Sequence, residues 1–294
     1  MNQAFRLKMA KQKAEALLTE KGIQTLRVDP IAIAREHDIE VKAKPDAEAG
    51  VSGMLLRHGN NFGILYATHL QNAGFERFSI GHELGHYFLE GHVDHVLPKD
   101  GIHVSQAGFV SGDPYEQEAD SFSAGLLMPS GPFKRELNRR TANFSTIKSL
   151  ADQCETSLSA TAIRCTELTS DALAVIVSTG NKIDYCILSE AMKSLPGLSW
   201  LRKGSLVPQN TGTAQFNRDY VDGNHPESRS DEIAVANWLG GMSRERVLEE
   251  IIGLGRYGKT LTVLSSERIG QERDDSEEES EDDLTERWTP RFRK

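Results

Sequence analysis

The segment His82-Glu83-Leu84-Gly85-His86 holds the residues of this chain best suited to chemistry. On a helix, side chains four apart lie one turn apart on one face, so the two imidazoles can converge on one Zn2+. Glu83 then stays within reach of a metal-bound water, as a general base must. Ile80, Leu84, Tyr87 and Phe88 fall on the apolar side that would face a core. Gly81 and Gly85 sit inside the helix, where each costs about 1 kcal/mol relative to alanine. Such a cost is tolerable where a neighbouring strand or a metal-bearing loop must come close.

A catalytic zinc site uses three protein ligands and leaves one position open. Two residues compete for the third place. His92 stands six residues after His86, but the pattern with that spacing needs glycine where Leu89 stands, and Gly91 is out of register. Glu116, in Glu116-Gln-Glu-Ala-Asp120, is followed one turn later by Asp120. There Glu116 would bind the metal, while Asp120 would accept the free ring N–H of a ligand histidine and fix its tautomer. This second arrangement explains more residues. Glu118 would face elsewhere, towards solvent. His103 and Tyr115, both expected in a loop, are the candidates to help hold an oxyanion, and the strand from Val51 to Leu56 would offer an edge for an extended peptide.

Arg77-Phe-Ser-Ile-Gly-His-Glu-Leu-Gly-His, followed by Glu116-Gln-Glu-Ala-Asp-Ser-Phe-Ser-Ala-Gly-Leu-Leu-Met-Pro, resembles the ImmA/IrrE family of bacterial metallopeptidases in order and distance. The resemblance extends over residues 1–168. It implies His82, His86 and Glu116 as zinc ligands, Glu83 as general base and Asp120 behind the ligands, on a small fold similar to thermolysin's zinc core. It also implies a protein substrate, since the family is known for cleaving helix-turn-helix repressors in phage, mobile-element and stress regulation. Asp120 stands where many members carry asparagine, a change that leaves its role intact.

The elements around these residues follow from periodicity and punctuation. An amphipathic helix over the first 20 residues stops at Gly22, and a second opens at Asp29-Pro30, an N-cap followed by proline at the first helical position. A strand at Ile39–Ala43 and a hairpin, Val51–Arg57 and Phe62–Ala67 around His58-Gly-Asn-Asn, precede the metal-binding helix at about Phe75–Glu90. A loop of some 20 residues then leads to a helix at about Tyr115–Met128, which Pro129 ends. Two short helices between Asn143 and Leu168 resemble a helix-turn-helix, although the second is not basic, which weighs against DNA contact. Beyond them, strands are expected at Ala172–Val177, Tyr185–Leu188, Ser199–Arg202 and Leu261–Leu264, with helices near Ile233–Leu239 and Arg244–Ile252. Gly253-Leu-Gly255-Arg-Tyr-Gly258 spells a nucleotide-binding fingerprint in the wrong context and reads as a turn.

The expected fold is therefore α+β. A zinc metallopeptidase domain spans 1–142, a helical pair 143–170, and an α+β sensor or docking domain 171–265, GAF-like by analogy with radiation-response members of the family. The stretch 266–294 is a disordered acidic tail. Segment 272–286 carries ten acidic residues against one arginine and cannot bury enough surface to offset its ordering entropy. The whole chain of 294 residues has a net charge of −9, which disfavours sequence-independent binding to nucleic acid or anionic lipid. Three cysteines without a C-x-x-C pair suggest neither a disulfide framework nor a cysteine zinc site. The longest apolar run, Ala172–Val177, is far short of a membrane span, so the expected setting is the cytoplasm. The rival to a peptidase is a DNA-binding or protein-sequestering regulator, a toxin-antitoxin partner, whose zinc site is structural.

Overall fold

A computed structural model describes residues 2–45, 50–69, 71–97, 100–106, 112–219, 228–241, 243–255, 258–267 and 269. The charged stretch 272–286 and the segment from Arg287 to Lys294 lie outside them. The N-terminal unit comprises α1 (Gln3–Glu20), α2 (Pro30–Glu36), β1 (Glu40–Lys44), β2 (Val51–His58), β3 (Asn61–Ala67), α3 (Ala73–Phe88), α4 (His92–Val96), β4 (Asp100–Gln106) and α5 (Pro114–Leu127). Polar side chains start the helices that matter. Asp29 caps α2, Asn72 accepts from the Phe75 N–H at α3, and Asp113, with proline next to it, caps α5.

The first sheet has the order β1-β3-β2-β4, with β1 parallel to β3 and the other pairs antiparallel. Leu55 and Ile64 on its inner face meet Ile80 and Leu84 of α3, and Phe122, Leu126, Ala10, Ala14 and Leu18 close the core from α5 and α1. The metal-binding helix is thus held between sheet and helices. Two expectations change here. Residues 89–113 are not one loop, because they contain α4 and β4. Nor is β2 an edge: it is paired on both sides, and β4 is the outer strand. In β4 the usual pattern is inverted. Ile102 and Val104 are 59% and 41% exposed on the outer face, while His103 and Ser105 turn inward.

Gly81 and Gly85 of α3 admit neither a strand nor a loop but the second ligand-bearing helix. A Cβ at Gly85 would lie 2.9 Å from Ala119 Cα, and one at Gly81 would lie 2.5 Å from Ser123 Oγ, both in α5. Bare backbone on α3 is what lets α5 approach closely enough to share a site.

Next come α6 (Ser130–Leu137), α7 (Phe144–Cys154) and α8 (Leu158–Leu168). The C-terminal unit follows with β5 (Ala172–Thr179), β6 (Lys182–Leu188), α9 (Glu190–Lys193), α10 (Gly212–Asp219), β7 (Ser228–Ala234), α11 (Val235–Leu239), β8 (Arg246–Gly253) and β9 (Lys259–Ser266). Its sheet runs β6-β5-β9-β8-β7, antiparallel throughout. The molecule is mixed α+β, with two sheets among the described residues. Both faces of β5 are covered. Leu173, Val175 and Val177 pack with Ile147, Leu150, Cys154, Ala162 and Cys165 of the helical pair, while Ala172, Ala174 and Ile176 pack with Trp238 and Leu239 on the far side.

The helical pair also grips the N-terminal unit. Arg164 on α8, 4% exposed, donates to the Met128 carbonyl, Ser130 Oγ, Glu15 and Glu167, and Lys11 of α1 pairs with Glu167 at 2.6 Å. Three sequence expectations fail in the C-terminal unit. Arg244–Ile252 is the strand β8 rather than a helix, Ser199–Arg202 is irregular, and Ile269, assigned to the tail, is 5% exposed and packs in the core with Leu264 and Trp238. The β8 expectation failed because Glu249 points inward. Its carboxylate accepts from the Gly212 and Thr213 amides, Thr213 Oγ1 and Trp238 Nε1, so a charge sits where an apolar residue would mark the strand.

Candidate metal centre

Two helices and one strand bring four donors together. His82 and His86 come from α3, Glu116 from the first turn of α5 and His103 from the inner face of β4. Their ligand atoms all lie within 4.8 Å of one another. Glu116 Oε1 stands 3.2 Å from His86 Nε2 and 3.1 Å from His103 Nε2, and Glu116 Oε2 stands 3.3 Å from His82 Nε2. The two α3 imidazoles meet Nε2 to Nε2 at 3.1 Å. Behind them Asp120 Oδ1 accepts from His82 Nδ1–H at 2.8 Å, which leaves Nε2 for the centre.

Glu83 faces the same space and is fully buried, and neither of its oxygens has a hydrogen-bond partner among the described residues. Its carboxylate lies against the backbone of β2, where a Cβ on Gly53 would come within 2.6 Å of Oε1. The pairing of β2 with β4 slips between Val51 and Gly53, a bulge at the wall that Glu83 touches. Burial pushes the Glu83 pKa up, with His82, Ser105 and His103 pulling the other way. A buried carboxylate beside three imidazoles and a second carboxylate has the donor chemistry that holds a cation. The donor set fits a metal ion.

The charges show the same demand. Burial alone would lower the His82 pKa, but Asp120 and Glu116 outweigh it and hold it up at about 10. His86, also desolvated and beside a charged His82, is pushed down to about 4. Glu116 is partly buried, yet the imidazoles of His103, His82 and His86 hold it well below the usual carboxylate range. The charged form of His82 is thus favoured between the carboxylates of Asp120 and Glu116.

All five residues read from sequence as the site (His82, Glu83, His86, Glu116 and Asp120) are brought together here. His92 is not among the converging donors. Gly91 adopts a left-handed turn (φ +78°) that starts α4 and brings His92 back beneath α3, where its Nδ1 meets His86 Nδ1 at 3.2 Å. Glu118 does not face solvent. It is 9% exposed, 3.3 Å from His92 Nε2 and 2.5 Å from Arg6 Nε. Tyr115 lies against the rings of His92 and His95, away from the converging donors. His103 was expected in a loop, as a candidate oxyanion partner and not among the converging donors. Its signal was the alternation Ile102-His103-Val104-Ser105, hidden by its polar inner face.

Residues 34–166 are similar to the family model of the IrrE N-terminal-like domain, peptidase M78. Among curated proteins there is no match. Among solved structures, a Mycobacterium tuberculosis transcriptional regulator superposes over 87% of this chain and 76% of its own length, with a TM-score of 0.54 and 14% identity. At that identity the likeness concerns the fold, and its coverage takes in both units. No helix among the described residues is long and apolar enough to cross a membrane.

Proposed function

We propose that this chain is a zinc-dependent endopeptidase acting on a protein substrate, with a helix-turn-helix repressor as the substrate class the family resemblance favours. The observation that carries this is Glu83. It has an unpartnered, buried carboxylate one residue from His82, and it faces the point where His82, His86, His103 and Glu116 converge inside a peptidase-family domain. His82, His86 and Glu116 suit Zn2+ as ligands, with His103 beside them. When bound, zinc would acidify water and polarise a peptide carbonyl.

The rest of the work falls to residues of the chain. Asp120 holds His82 with Nε2 free, and Glu83 takes a proton from the attacking water and returns it to the leaving amine. Burial without hydrogen-bond donors keeps Glu83 basic once its charge is balanced. The free edge of β4 offers main-chain groups to an extended peptide, and His103 on the same strand faces the scissile bond, where its N–H would stabilise the oxyanion. The C-terminal unit, packed through β5 on the helical pair, would serve as a sensor or docking module, GAF-like by analogy.

One observation favours the rival reading of a regulator with a structural metal. His103 supplies a fourth protein donor and would close the coordination. A closed site gives Glu83 no task, which is why the peptidase reading stands first. Metal analysis separates them. The purified chain should hold one zinc, lost in a His82→Ala/His86→Ala double variant. His103→Ala should keep its zinc and lose turnover, whereas loss of zinc from His103→Ala would support the structural site.

A further inference from the structure

His86 lacks the carboxylate that orients His82. In its place a chain of buried groups runs from the second α3 histidine to the N-terminal helix. His86 Nδ1 meets His92 Nδ1 at 3.2 Å, His92 Nε2 meets Glu118 Oε2 at 3.3 Å, and Glu118 Oε1 pairs with Arg6 Nε at 2.5 Å. His86 is fully buried and His92 is 1% exposed. Tyr115 covers the chain, with its ring edge-on to His92 at 4.9 Å, stacked on His95 at 3.8 Å and beneath the Arg6 guanidinium at 5.4 Å.

Two arrangements of protons are possible between neutral His86 and His92. In the first, His86 Nδ1–H donates to His92 Nδ1 and His92 Nε2–H donates to Glu118, so each of these N–H groups meets an acceptor, and the bare His86 Nε2 faces Glu116 Oε1 at 3.2 Å, two lone pairs that a cation between them would join. In the second, His92 Nδ1–H donates to His86, and a lone pair on His92 Nε2 then faces the Glu118 carboxylate, acceptor against acceptor. Burial makes the second costly, because neither group can turn to water. A metal ion would relieve the contact with Glu116 and not the one with Glu118, so with metal bound Glu118, itself fixed by Arg6, selects the first.

We infer that His92, held by Glu118 and Arg6, is a positioning residue that fixes His86 in its Nδ1–H tautomer and aims the Nε2 lone pair at the metal. This rests on the zinc site proposed above. It gives His92 a role other than ligation, and it joins α1 to the centre through a residue, Arg6, remote from it in sequence. It also accounts for Glu118 being buried two residues after a metal-facing carboxylate.

The test uses the full-length chain, stripped of metal, with Zn2+ as the only ligand. His92→Phe keeps a ring but no acceptor, while His92→Asn places a carbonyl oxygen near the former Nδ1. Zinc affinity from competition with a chromophoric chelator should fall about 10- to 100-fold in His92→Phe, the range expected when the partner of a ligand histidine is lost, and return to within a few-fold of wild type in His92→Asn. Nitrogen-detected NMR of the zinc-bound wild type should show His86 protonated at Nδ1, with a resonance displaced by its hydrogen bond to His92 and shifted in His92→Phe. Equal zinc affinity in wild type and His92→Phe, or an Nε2–H tautomer of His86 in the wild type, would overturn the inference. Thermal melting of the metal-free variants separates a misfolded chain from a misaimed ligand. A wild type that bound no zinc would sink the peptidase reading and this inference with it, whereas equal affinity in wild type and His92→Phe would sink this one alone.

Discussion

Gly53→Ala probes how tightly the site holds Glu83. An added Cβ would lie 2.6 Å from Glu83 Oε1 and 3.3 Å from its Cγ and Cδ, whereas ordinary contact begins at 3.4 Å. The carboxylate must retreat by about 0.8 Å, the gap between those distances. It is the end of a side chain without hydrogen bonds, so moving it costs the fold little. Gly53 does not have a positive φ, and the gain of about 0.4–1 kcal/mol from a stiffer unfolded chain offsets part of the crowding. Displacement of a reacting group by about 1 Å can cost ~10²-fold in rate. The expected result is therefore a melting temperature close to wild type, one zinc per chain, and a turnover lower by about two orders of magnitude. The assay is a time course of repressor cleavage by gel and mass spectrometry at saturating substrate. Turnover within threefold of wild type would show that Glu83 is not held against β2 as described.

Further predictions concern pH, anchoring and the end of the fold. His82, held up at about 10 in the metal-free chain, contributes stability that is complete below its unfolded value of 6.5 and lost as pH rises through about 10. Zinc binding must remove that proton, so affinity should climb about tenfold per pH unit between pH 7 and 9, with at least one proton released per zinc, measurable by calorimetry in buffers of different ionisation enthalpy; a flat profile would contradict it. Arg164→Ala should lower stability to denaturant by about 2–3 kcal/mol, because a buried guanidinium is lost from partners that keep partial access to water. A chain ending at Gly270 should unfold like the full chain, whereas one ending at Glu267 loses Ile269 from the core and about 1.5–3 kcal/mol. Equal stability of the two truncations would place Ile269 outside the core.

The two ligand-bearing helices were legible from the fixed spacing of their metal residues, and their N-caps, which the structure identifies, were there to be read as well. Asp113-Pro114 opens α5 just before Glu116, and Asn72 opens α3 one helical stretch before His82. What the residues could not show was how those helices meet. Gly81 and Gly85 signalled a close approach, but only the fold shows that Ala119 and Ser123 of α5 make it. β4 was missed because its inner face carries His103 and Ser105 for the site and its outer face carries Ile102 and Val104 towards solvent, the reverse of a core strand. β8 was missed for a related reason, since buried Glu249 caps α10 from inside the sheet. In both strands a polar residue with a task took the place of the apolar one that marks burial. Glu118 was misjudged because its partners, His92 and Arg6, come from distant parts of the chain.

The central claim is that Glu83 acts as the base of a zinc peptidase, and Glu83→Gln tests it most directly. The amide keeps the shape of the side chain and removes the proton acceptor. Co-expression with helix-turn-helix repressors encoded beside its gene, followed by mass spectrometry of the repressor, reads the outcome. The account predicts one zinc per chain in both forms, retained repressor binding, and cleavage reduced by at least ~10²-fold in Glu83→Gln. A Glu83→Gln chain that still cleaved the repressor, or relieved repression without cleaving it, would contradict the account, and in the second case the effect would run through binding alone.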